Sequence, residues 1–126
     1  MDGYERTAAI LKALAHPVRL QIVAVLRQEE ACVCHLETVL HQRQAAISQH
    51  LARLRDAGLV VDRREGMHVF YTLRDESIGA LVDAAQHTAV SLGKAGVEPL
   101  VFRSFAVPHP GCPCPRCQEK HGRMSI

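Results

Sequence analysis

The segment 44–58 constrains this chain most. Ile47, Leu51 and Leu54 recur at i, i+4 and i+7, which places them on one stripe of a helix. Gly58 comes next, suited to a C-terminal cap. Ala45, Ser48, Gln49, Ala52 and Arg53 project from the other side. Ahead of this helix stands a polar, turn-like His41-Gln42-Arg43. Before that turn, a short helix is expected over about residues 34–40, with Leu36, Val39 and Leu40 turned inward. Two helices joined by a tight polar turn, the second with a small and polar outer face, predict a helix-turn-helix.

The residues after Gly58 predict a wing. About residues 59–64 and 67–73 read as strands, with Glu65-Gly66 as the turn and Gly66 free to take positive φ. Val69, Tyr71 and Leu73 are expected to alternate inward, while Arg63, Arg64 and His68 gather near the tip. Upstream, helices are expected over about residues 4–15 and 17–28, separated at His16-Pro17, with Pro17 in the first turn of the second. Val18, Leu20, Ile22, Val23, Val25 and Leu26 fall nearly all round that second helix, which should form the buried centre. Arg19 reads as a surface or capping charge. Residues 75–92 predict a last helix, capped by Asp75 or Ser77. The expected fold is α+β, mainly α: a winged helix-turn-helix with a two-stranded wing, homodimeric through its first and last helices.

The chain has 126 residues, 48% of them apolar, enough for one core. Its net charge of +2 does not by itself demand nucleic acid, so any basic surface must be local. The expected division is a DNA-binding and dimerisation domain over residues 1–95 and a Pro/Cys-rich metal-binding tail over 96–126. Within the tail, Leu100-Val101-Phe102 and Phe105-Ala106-Val107 are apolar enough to dock, as a short strand or against the body. No apolar run approaches the roughly 20 residues of a membrane span, and no signal sequence opens the chain. A cytoplasmic location without a membrane partner is expected.

Five cysteines, an odd number and unevenly spaced, do not form a secreted disulfide framework; such clusters more often carry metal or redox chemistry. Cys32 and Cys34 lie at the start of the helix-turn-helix. Cys112, Cys114 and Cys117 lie in the tail among prolines that hold the segment extended. Within an undistorted helix, a Cys-x-Cys pair points about 200° apart, so sharing one ion there requires local unwinding. A helix start is the cheapest place for that, and its open N–H groups favour thiolate. All-sulfur ligation selects As(III), Cd(II), Pb(II) or Zn(II). Five thiolates exceed the three or four that one ion needs, so some are spare or each cluster holds its own ion. His35 and His41 are expected at the surface, and His109 and His121 as solvated residues rather than ligands.

Gln44, Ser48, Gln49 and Arg53 are the expected readers of base edges, and Arg63 and Arg64 the expected holders of phosphate. Three rival readings stand beside a metal sensor that controls the DNA-binding segment. One is a thiol-redox or persulfide sensor of the same fold. Another is a DNA-binding protein with a structural zinc tail. The third is a thiol enzyme built on Cys114 and Cys117. The third has no βαβ context, phosphate loop or nucleophile–base set behind it, so no enzyme is expected.

Four motifs, in order, resemble the ArsR/SmtB family of metal-responsive repressors. Leu11-Lys12-Ala13-Leu14-Ala15-His16-Pro17-Val18-Arg19-Leu20 is similar to its opening. Cys32-Val33-Cys34-His35-Leu36 is similar to the metal box of its arsenic, cadmium and lead branch. Residues 47–60 resemble its recognition helix and residues 62–73 its wing. The resemblance implies a winged-helix homodimer that represses an operon for metal export or detoxification and leaves its operator when metal binds. Glu37 stands where arsenic-type members can supply a third thiolate. The N-terminus lacks the cysteines of cadmium-type members. Asp83 and His87 lack the spacing of the zinc-sensing site on the last helix.

Overall fold

The computed structural model describes residues 2–93 and 100–105. Helix α1 (Gly3–Leu14) starts where Asp2 accepts the Glu5 N–H at 2.8 Å. The chain then turns by 90° into α2 (Pro17–Gln28). Pro17 occupies the first turn, and the His16 ring caps it by accepting the Val18 N–H at 3.0 Å. Strand β1 (Ala31–Cys32), helix α3 (Val33–Leu40) and helix α4 (Gln44–Asp56) come next. The hairpin of β2 (Val60–Glu65) and β3 (His68–Leu73) then leads into α5 (Glu76–Ser91), capped by Asp75.

The core lies where the apolar pattern places it. Ile22, Val23 and Val25 of α2, Leu36 of α3, and Ile47 and Leu54 of α4 are wholly buried. Leu51 and Val60 are nearly so. Phe105 docks into this core, whereas Leu100, Val101 and Phe102, expected to dock as well, stand exposed, and residues 100–105 form no strand. Residues 106–107 lie outside the described residues. No single helix among the described residues is long and apolar enough to cross a membrane.

The hairpin expected as a wing is present, with Gly66 at φ +59° in its turn. It is joined by a strand that the sequence pattern does not reveal. β1 pairs antiparallel with β3, giving a three-stranded sheet in the order β1-β3-β2. A two-residue strand has no periodicity to read, and its extended backbone is set by Cys32 serving as N-cap of α3. The sheet also buries a side the alternation did not predict. Tyr71 and Leu73 pack on the main core, but Phe70, on the opposite face, is the most buried residue of β3. It is covered by Cys32 and Cys34.

Candidate nucleic-acid interface and thiol site

Helix α3 ends at His41, whose left-handed backbone (φ 53°, ψ 42°) turns the chain sharply. Its N–H returns to the Glu37 carbonyl. Arg43 is then the N-cap residue of α4. Burial of Ile47, Leu51 and Leu54 fixes the rotation of α4, so Gln44, Ser48, Gln49 and Arg53 stand exposed on its outer side. Gly58, at φ +77°, ends the helix as expected. Arg43 is also exposed beside Gln44, a cation that the sequence pattern assigns only to the turn.

A second contact sets the position of α4. Arg19 donates from Nε to His50 Nδ1 at 3.1 Å and from Nη1 to the Ala13 carbonyl at 3.1 Å. One guanidinium thus caps the end of α1 and ties α2 to α4, so the capping role considered for Arg19 is the one the structure shows. The His16 and His50 rings lie 4.3 Å apart between centroids. Burial first, then the charges of His16 and Arg19, push the His50 imidazole below its ordinary value.

The two wing arginines diverge. Arg64 pairs with Val69 across the hairpin and shares a sheet face with Val60 and Asp62. Asp62 lies 3.8 Å from Arg55 of α4, so this face is the one turned to that helix. Arg63 pairs with Phe70 and faces the other way. Its Nε and Nη2 donate to the two carboxylate oxygens of Glu30 at 2.9 and 2.5 Å, and its Nη1 donates to Glu65 at 2.9 Å. The guanidinium carbon stands 4.9 Å from the Phe70 ring centre. The bonds to Glu30, then those to Glu65, hold Arg63 more firmly protonated than an ordinary guanidinium.

Cys32 and Cys34 come together without unwinding a helix. Cys32 is the extended N-cap (φ −86°, ψ 167°), Val33 the first helical residue and Cys34 the second. The 200° obstacle holds for a pair inside a helix; here, as the expected helix start near residue 34 implies, the boundary falls between them. The two Sγ atoms are 2.6 Å apart, and Cys32 Sγ accepts the His35 N–H at 3.4 Å. Two sulfurs on one tetrahedral ion with bonds near 2.3 Å stand about 3.8 Å apart, a separation that neighbours on the cap and the first helical turn can supply. Cys32 is buried and Cys34 half-buried. His35, expected at the surface, is buried at 2% exposure, because the first turn of α3 is directed into the body beside Leu36; His41 is exposed as expected. Among the described residues, no group of three or more His, Cys, Asp or Glu side chains is placed to hold a metal. Cys112, Cys114, Cys117, His109 and His121 lie outside the described residues.

Comparison with known proteins agrees with this geometry. The family model for "Bacterial regulatory protein, arsR family" matches residues 16–61, from the cap of α2 to the start of β2. The chain is 44% identical over 77 residues to the biofilm growth-associated repressor of Agrobacterium fabrum, spanning 61% of this chain and 66% of that one. It is 37% identical over 95 residues to the arsenic resistance transcriptional regulator ArsR1 of Pseudomonas putida, covering 75% and 73% of the two. The solved structure of reduced HlyU from Vibrio cholerae superposes with a TM-score of 0.62 at 39% identity, over 68% of this chain and 90% of that one. A helix-turn-helix with an exposed polar reading face, flanked by a wing and headed by a thiol pair, therefore has a family: the chain belongs to the ArsR/SmtB family of winged-helix, DNA-binding transcriptional regulators.

Proposed function

We propose that this regulator is a repressor whose hold on operator DNA is released when a soft ion binds its cysteine thiolates. The observation that carries the reading is the 2.6 Å approach of the Cys32 and Cys34 sulfurs at the head of the helix-turn-helix. Cys32 caps the first helix of that unit and pairs with the wing strand, so one residue touches both DNA-binding parts. Two sulfurs supply half of a four-coordinate set; two of Cys112, Cys114 and Cys117 in the 96–126 tail complete it. The ion is As(III), Cd(II), Pb(II) or Zn(II), the class that thiolates select. The name of the Pseudomonas relative, an arsenic resistance regulator, supports this class.

On the DNA, Gln44, Ser48, Gln49 and Arg53 read base edges and Arg64 holds phosphate. Two copies bind a two-fold site, the first and last helices forming their interface. Tyr4 and Leu11 of α1, with Val90 of α5 and Leu92 at its end, are apolar and exposed in the single chain, which supports that interface.

A second reading is favoured by the same sulfur contact. Sulfurs this close are also poised for oxidation, and the matched Vibrio structure is of reduced HlyU. In that reading a disulfide or persulfide replaces the ion as the signal. Operator affinity titrated with each of the four ions under reductant separates the two. Release by one ion in the presence of reductant supports the metal reading. Release only by oxidant or persulfide replaces it with the second.

A further inference from the structure

We propose that Arg63 serves the thiol site rather than the DNA, as a positioning residue that braces the wing against the strand carrying Cys32. The thiol site is the proposed sensor, and the regulatory meaning of the brace rests on that reading. The brace itself rests on geometry. Cys32, Phe70 and Arg63 are successive partners across β1, β3 and β2, so their side chains share one row on one face of the sheet. Phe70 packs against Cys32 and Cys34 on one side and lies under the Arg63 guanidinium on the other. Glu30, two residues before Cys32, takes that guanidinium through both carboxylate oxygens.

An exposed ion pair contributes little, and the Arg63 side chain is half exposed; the contact gains from its partner's burial and its geometry. The Glu30 side chain is only 15% exposed, and the contact is a two-pronged, charge-assisted one. It closes a loop: Arg63 to Glu30 by hydrogen bonds, Glu30 to Cys32 by the chain, and Cys32 to Arg63 through Phe70. Arg64 belongs to no such loop and faces α4. Adjacent arginines of the wing therefore have separate tasks, Arg64 toward phosphate and Arg63 toward the sensor. Any change at the thiol pair that moves β1 is carried by the brace into β2 along with the strand ladder.

The test measures two things in the full chain: the salt dependence of operator binding, and the rate at which iodoacetamide labels Cys32, located by peptide mass spectrometry. Arg63→Ala and Glu30→Gln should each speed Cys32 labelling about fivefold, as local opening follows loss of a charge-assisted contact. Arg63→Ala should leave the salt slope unchanged. Arg64→Ala should do the reverse, lowering the slope by about 0.9 for one lost phosphate contact and leaving labelling as in the wild type. Arg63→Lys, which keeps the charge without the fork, should label at an intermediate rate. A shallower slope in Arg63→Ala overturns the proposal, as does Cys32 labelling indifferent to both brace variants. So does faster labelling accompanied by faster hydrogen exchange throughout α4, which reports unfolding. If the wild type binds no operator, the repressor reading falls, while the labelling rates still decide the brace.

Discussion

Cys32 is at once the N-cap of α3 and the strand partner of Phe70, so the proposed sensing thiol is built into the junction between the helix-turn-helix and the wing. A change at its sulfur reaches both DNA-binding elements through bonds one or two residues long. No separate relay across the domain is needed.

Gln49 and Arg53 are exposed on α4, one turn apart, on the side opposite the buried Ile47–Leu51–Leu54 stripe. Replacing either with Ala should weaken operator binding relative to unrelated duplex by roughly 1–3 kcal/mol, the worth of a good base contact. Competition between the two duplexes at fixed salt measures it. An equal loss on both duplexes would assign the residue to the phosphate backbone instead.

His50 makes the fold sensitive to mild acid. Its folded imidazole is held below the ordinary value by burial and by neighbouring His16 and Arg19, so the unfolded chain takes up the proton first. The stability contributed by neutral His50 is present above the unfolded value, about 6.5, and is lost as pH falls through the folded one. A protonated Nδ1 also loses the bond from Arg19. Urea midpoints should fall between about pH 7 and about pH 5, and His50→Gln should flatten that dependence. An identical pH profile in the variant would show that His50 is not the source of the acid sensitivity.

Gly58 has φ +77°, and a side chain built there would meet nothing within 4 Å. Gly58→Ala should therefore cost only the left-handed backbone strain, about 1–2 kcal/mol. Chemical denaturation reads the loss, and operator affinity in the folded variant should stay near wild type. A much larger loss would mean that the approach from α4 to the wing is tighter than the structure shows.

The long elements were legible because each repeats a period. Leu51 and its partners set the rotation of α4, and Pro17, Gly58 and Asp75 mark helix ends that the structure reproduces within a residue or two. The contacts that hold the thiol site were not legible. Two extended residues, Ala31 and Cys32, carry no pattern, and their pairing with Tyr71 and Phe70 depends on a hairpin about forty residues away. For the same reason Arg63 and Arg64 look alike as neighbours in sequence and become opposite in the sheet. His35 looks polar and is buried because it shares the first turn of α3 with Leu36. The link from Arg19 to His50 spans thirty-one positions and rests on two polar residues that no apolar period marks.

The most direct test of the central claim tracks operator affinity and thiolate–metal absorbance in one titration, under reductant, for the wild type, Cys32→Ser and Cys34→Ser. Cd(II) and As(III) serve as the ions. Release of DNA by the wild type at the ion concentration where absorbance rises, with both signals lost in either variant and apo affinity retained, is the predicted result. Release that persists in both serine variants would contradict it, because the Cys32–Cys34 pair would then not be the switch.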